Sequence, residues 1–126
     1  MRDSVQPSER RRVGFCWEGL AADYLRSQGL AILERNVESR FGELDIVAAD
    51  GDTLVFVEVR GRTHPDEVHP ACTVTRKKQL QVVRCARLYC LQKKISSGVM
   101  IRFDVVAVMG PDGELEWFPN AFEAGR

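Results

Sequence analysis

The sequence predicts an α/β domain, a mixed central β-sheet flanked by helices in the order α-β-β-β-α-β-β. Three observations carry this. Residues 14–29 and about 75–94 place apolar side chains at helical spacing. Short apolar runs bounded by turn residues precede and follow the second of these segments and read as strands. A helix between the third and fourth strands is a crossover, which makes those two strands parallel with a right-handed connection. A chain of 126 residues holds one core rather than two. Its 44% hydrophobic and 29% charged residues, without repeats or low-complexity tracts, are those of a globular protein.

Residues 1–13 read as a mobile basic arm, residues 14–119 as the domain and residues 120–126 as a C-terminal tail. In "GFCWEGLAADYLRSQG", Trp17, Leu20, Ala21, Tyr24 and Leu25 share one helical side, and Gly29 supplies the stop. Glu18 stands at the border of that side, because Ala21, Ala22 and Leu25 are its i+3, i+4 and i+7 neighbours. "LAILERNVES" is the first strand. "GELDIVAADGDTLVFVEVRGR" holds the next two, joined at Asp50-Gly51, a strong hairpin signal. The loop "THPDEVHPAC" leads to the second helix, with Thr75 as N-cap. Val82, Val83, Cys85, Ala86, Tyr89 and Cys90 form its apolar side. "VMIRFDVVAVMG" is a buried strand, Pro111-Asp112-Gly113 a turn and "ELEWF" a short edge strand.

No apolar run is long enough to span a bilayer, and the N-terminal stretch lacks the apolar core of a secretory signal. A cytoplasmic protein without membrane contact is expected. Cys16, Cys72, Cys85 and Cys90 show no C-x-x-C spacing, which favours buried, reduced thiols over disulfides or zinc. The formal net charge is zero, yet its distribution is uneven. Seven basic residues and no acid lie between Thr73 and Lys94, while acids gather between Glu34 and Glu58. A basic face beside an acidic pocket is the expectation.

The acids of the second and third strands interrupt what would otherwise be core. With Asp50 and Gly51 as the turn, Ala49 opposes Asp52, Asp45 opposes Phe56 and Glu43 opposes Glu58. Asp45, Glu58 and Arg60 then converge on one side with Glu43 beside them, and Leu44, Ile46, Val55, Val57 and Val59 cover the other. Carboxylates so close must share a proton, face water or hold a cation. A hard cation such as Mg²⁺ takes oxygen ligands, so two or three carboxylates suffice. The alternative is a solvated outer face.

The spacing of Asp45 and Glu58-Val59-Arg60 on adjacent strands after a first helix resembles the D…(D/E)-x-K signature of restriction-endonuclease-like nucleases. "WEGLAADYLRSQGLAILERN", "GELDIVAADGDTLVFVEVRGR", the Lys77-Lys78 pair and "RFDVVAV" together resemble the YraN family. Its members are small bacterial proteins assigned to that fold, near the Holliday-junction resolvases. The resemblance covers about residues 13–119. It implies a restriction-endonuclease-like core and phosphodiester hydrolysis with one or two Mg²⁺ or Mn²⁺ ions and no small-molecule cofactor. It makes Asp45, Glu58 and Glu18 metal-binding and catalytic carboxylates. Arg60 stands where the signature has lysine. A guanidinium stays protonated and cannot take a proton from water, but it can bind the scissile phosphate.

DNA is therefore the expected partner, with branched structures as candidates, and Arg62, Lys77, Arg84 and Arg87 are the expected phosphate ligands. Resolvases act as dimers, so a homodimer is also implied, although no segment marks a seam. A nucleic-acid-binding protein that keeps the fold without turnover is the second reading, because of Arg60. A protein-interaction module is the third, because of the neutral net charge. Arg102 and Asp104 share a face of a buried strand and read as a structural ion pair. His64, Asp66, Glu67 and His69 read as a loop rather than a metal site.

Overall fold

The computed structural model describes residues 7–110 and 112–124. Its elements are α1 (Pro7–Ser27), β1 (Ala31–Ser39), β2 (Gly42–Asp50), β3 (Thr53–Gly61), α2 (Arg76–Gln92), β4 (Met100–Val108) and β5 (Leu115–Phe122), with a 3-10 turn at Pro70–Thr73 before α2. The α/β class and the element order are those the sequence predicts. Thr75 caps α2 as expected, its side chain accepting from the Lys78 amide at 3.2 Å.

Both ends differ from expectation. Residues 7–13 of the expected arm are helical, since α1 starts at Pro7. Proline suits a first helical position, where its missing N–H has no partner to lose. Residues 1–6 lie outside the described residues, as do the side chains as far as Cys16, Pro111 of the expected turn, and residues 125–126 of the tail. The start of the tail is strand, because β5 continues to Phe122.

The five strands lie in the order β1-β2-β3-β4-β5. Only β3 and β4 run parallel, joined by the crossover through α2. The hairpin register differs from the derived one. Asp50 pairs with Thr53 and Ile46 with Val57, so Gly51 and Asp52 form the turn. That is a slip of two residues relative to expectation. A slip of one would exchange the two faces of a strand, whereas a slip of two preserves them.

One cluster beneath α1 joins Ala21, Ala22 and Leu25 to Ile46, Val55, Val57, Val106 and Val108. The other, beneath α2, joins Val82, Val83, Ala86 and Tyr89 to Val47, Phe56, Phe103, Val105 and Leu44. Leu20, expected on the core side, is 40% exposed. Leu44 and Ile46 were expected to share a face and do not. The alternation of β2 is interrupted between them, at Asp45, where the strand parts from β3 after the Ile46–Val57 pair.

The Arg102–Asp104 pair is structural, as read from the sequence. Asp104 is fully buried and accepts from Arg102 Nε at 2.9 Å and Nη2 at 3.0 Å, from Trp117 Nε1 at 3.0 Å and from the Asn120 amide at 2.8 Å. These bonds fill a bulge between Phe103 and Val105 where β5 carries extra residues. Cys85 is buried, Cys90 half-buried and Cys72 exposed, all three as free thiols. Cys72 is thus not in the expected core. No helix among the described residues is long and apolar enough to cross a membrane.

Candidate active site

The site forms where β2 leaves β3. Having lost its ladder partner, the Val59 amide donates to Asp45 Oδ2 at 2.9 Å. An aspartate at this point replaces the missing backbone acceptor and is held rigidly by it. Continuing the register sets Asp45 beside Glu58, which is 3% exposed in the middle of β3.

Burial raises the Asp45 carboxyl above its usual range, against the pull of the Val59 amide and of Lys78 and Arg60. Glu58 is pushed up to about 8, first by burial and then by the neighbouring Asp45 charge. Two carboxyls this close hold a proton between them at neutral pH. Glu18, from α1, is pushed up to about 7 by burial and by Asp45 and Glu43, while Arg35 partly offsets them. Its Oε1 is buried without a hydrogen-bond partner. Glu43 is raised by burial, then by Asp45 and by Glu38, its cross-strand neighbour on β1.

Glu18, Glu43 and Asp45 each bring a carboxylate oxygen within 4.8 Å of the others. The sequence places Glu58 opposite Glu43. In the structure Glu38 opposes Glu43, and Asp45 is the hub between the Glu18–Glu43 side and Glu58. The three oxygens, with one orphaned buried atom and raised affinities for protons, fit a hard divalent cation. Such an ion prefers carboxylate oxygen and would compete with the protons held there.

Two cations flank Glu58. Arg60 Nε lies 3.3 Å from Glu58 Oε2, within ion-pair range but with no hydrogen bond formed by that nitrogen. Lys78 Nζ, from the first turn of α2, lies 3.7 Å from the same oxygen. The sequence reading missed Lys78 as a site residue. In the sequence Lys78 is legible only as one of a pair of adjacent lysines, of which the expected phosphate ligand is Lys77. Lys77 is exposed and Lys78 half-buried.

The remaining expected residues divide. Arg84 and Arg87 are exposed on α2. Arg62 is occupied with backbone, donating through Nε to Met109 O at 3.0 Å and through Nη1 to Glu67 O at 3.1 Å. The loop from Thr63 to His69 closes on itself. Glu67 Oε1 accepts from the Thr63 and His64 amides, each at 3.0 Å, and His69 bonds Glu116 at 2.6 Å. These residues are bound to the protein's own groups, in line with the loop reading.

A family model described as "Uncharacterised protein family UPF0102" matches residues 17–108, a span that includes every carboxylate and cation of the site. A UPF0102 protein of Vibrio cholerae serotype O1 is 44% identical over 116 residues, 91% of this chain and 95% of that protein. One of Chromohalobacter salexigens is 43% identical over 119 residues, 93% and 95% of the two chains. One of Legionella pneumophila is 35% identical over 108 residues, 86% and 92%. With the site, the fold and these relatives in agreement on the same stretch, the chain belongs to the UPF0102 family, also known as YraN.

Proposed function

We propose that the protein is a metal-dependent nuclease that hydrolyses phosphodiester bonds in DNA. The observation that carries this reading is the carboxylate cluster around Asp45 with Arg60 and Lys78 beside it. Acids placed where each raises the proton affinity of the next destabilise a fold, and sites of that kind cluster at functional centres. Glu18, Asp45, Glu43 and Glu58 would hold one or two Mg²⁺ or Mn²⁺ ions, which when bound supply an activated water and neutralise the departing oxygen.

The chain's own groups do the rest. Asp45, anchored by the Val59 amide, fixes the position of the cluster. Arg60 and Lys78 hold the scissile phosphate and stabilise its charge as the attacking oxygen adds. Glu58 keeps both cations in place before substrate arrives.

The test is cleavage of branched and linear DNAs with Mg²⁺ and with Mn²⁺. Glu58→Gln and Asp45→Asn should abolish cutting, Arg60→Ala should reduce it, and Arg60→Lys should retain it. A wild type that binds metal and DNA yet cuts none of the panel would defeat the nuclease reading. The second reading, a DNA-binding protein without turnover, then stands on the arginine at position 60.

A further inference from the structure

Lys77, Gln81, Arg84, Leu88 and Leu91 recur at steps of four and three residues and so share one face of α2. That face is about 21 Å long at 1.5 Å per residue. Its N-terminal end adjoins the site, since Lys78 reaches Glu58. Gln81 Nε2 donates to Phe41 O at 2.8 Å and ties the helix to the β1–β2 turn. Beyond that bond, Arg84, Arg87, Leu88 and Leu91 meet Arg40 and Phe41 around an open groove of about 320 Å³. Arg40 lies over the Phe41 ring, 4.9 Å from its centroid.

The groove combines two properties that a solvated helix face lacks. Among the described residues, Arg40, Lys77, Arg84 and Arg87 take part in no ion pair, and α2 contains no acid to offer one. Beside these cations lies an apolar floor, with Leu91 76% exposed. A partner that satisfies both must carry repeated negative charge and flat apolar surfaces together. Duplex DNA offers phosphates but keeps its base faces stacked inside. An acidic peptide offers charge without the flat surfaces. An unpaired nucleic-acid strand offers both, with phosphates for the arginines and base faces for the ring, the guanidinium planes and the leucines.

We propose that this groove seats an unpaired strand and leads it toward the carboxylates, so that the substrate is a flap or junction with a single-stranded arm. The second half of that statement rests on the nuclease reading; binding of the strand does not.

The test measures binding of the whole chain, in EDTA to prevent cutting, to oligothymidylate, an abasic strand of equal length, and duplex DNA over a range of salt. Oligothymidylate should bind at least about fivefold more tightly than the abasic strand, the lower end for one stacked base. Arg84→Ala with Arg87→Ala, both exposed, should lower the salt slope by about 0.7 per lost phosphate contact. Phe41→Leu should weaken oligothymidylate binding and leave the abasic strand unaffected, with thermal melting confirming that each variant folds. Equal affinity for the three nucleic acids, or competition by polyglutamate or anionic vesicles as effective as by oligothymidylate, overturns the proposal. Strand binding in EDTA with no cleavage once Mg²⁺ or Mn²⁺ is supplied would sink the nuclease reading and the substrate half of the proposal with it, leaving the groove. Cleavage of plain duplex without strand preference would sink the groove alone.

Discussion

Replacing Glu58 by glutamine should stabilise the metal-free protein at high pH, although it removes two ion pairs. The glutamate is 3% exposed, and burial, then the Asp45 charge, push its carboxyl up to about 8. In the unfolded chain it titrates near 4.5. Between those values the folded state keeps a proton that the unfolded state has released. Stability therefore falls as pH rises, by about 1.4 kcal/mol per pH unit for each such proton. The contribution is complete below 4.5 and lost once pH passes about 8. Over that window the loss is roughly 3–5 kcal/mol, a large part of the 5–15 kcal/mol typical of a domain. Arg60 and Lys78 already act within that figure, because both lower the proton affinity of Glu58. Glutamine keeps the shape and cannot ionise. Urea unfolding in EDTA at constant ionic strength, from pH 5 to pH 9, reads the effect. Wild-type stability should decline through this range. Glu58→Gln should decline less, levelling only above about pH 7, once Glu18 has titrated. A wild type whose stability is flat or rising between pH 5 and 8 refutes the reasoning. So does a Glu58→Gln variant that declines as steeply as the wild type.

Millimolar Mg²⁺ or Mn²⁺ should raise the melting temperature, and more so at pH 8 than at pH 6, since the ion competes with protons for the carboxylates. Asp45→Asn should abolish that shift, and an unchanged shift would remove Asp45 from the metal site. Asp104→Ala should cost about 3–5 kcal/mol in urea unfolding, as it leaves Trp117, the Asn120 amide and Nε and Nη2 of Arg102 without their acceptor, with Arg102 keeping only its Nη1 bond to Asp50. A loss under about 1 kcal/mol, the scale of an exposed pair, would show the pair to be dispensable. Gly61→Ala should destabilise by about 1–3 kcal/mol, because the added methyl meets the Trp17 ring, and an unchanged denaturation midpoint would show that the ring moves aside freely.

The order of elements, the parallel β3–β4 pair and the gathering of Asp45, Glu58 and Arg60 were legible in the chain before any tertiary contact was known. Each follows from local periodicity or from the length of a connection. The placement of the acids even survived an error in the hairpin register, because a two-residue slip leaves the pleat unchanged. Packing set what periodicity does not encode. β2 separates from β3 after Ile46, which frees the Val59 amide for Asp45 and puts Leu44 under the opposite helix from Ile46. The docking of α1 carries Glu18 to Glu43 and Asp45, and the docking of α2 brings Lys78 rather than Lys77 to Glu58. Arg62, indistinguishable in sequence from a free cation, is held by two backbone carbonyls. In each case side chains distant along the chain meet only through the rigid packing of helices on the sheet, and a single strand or helix carries no record of which partner that packing will select.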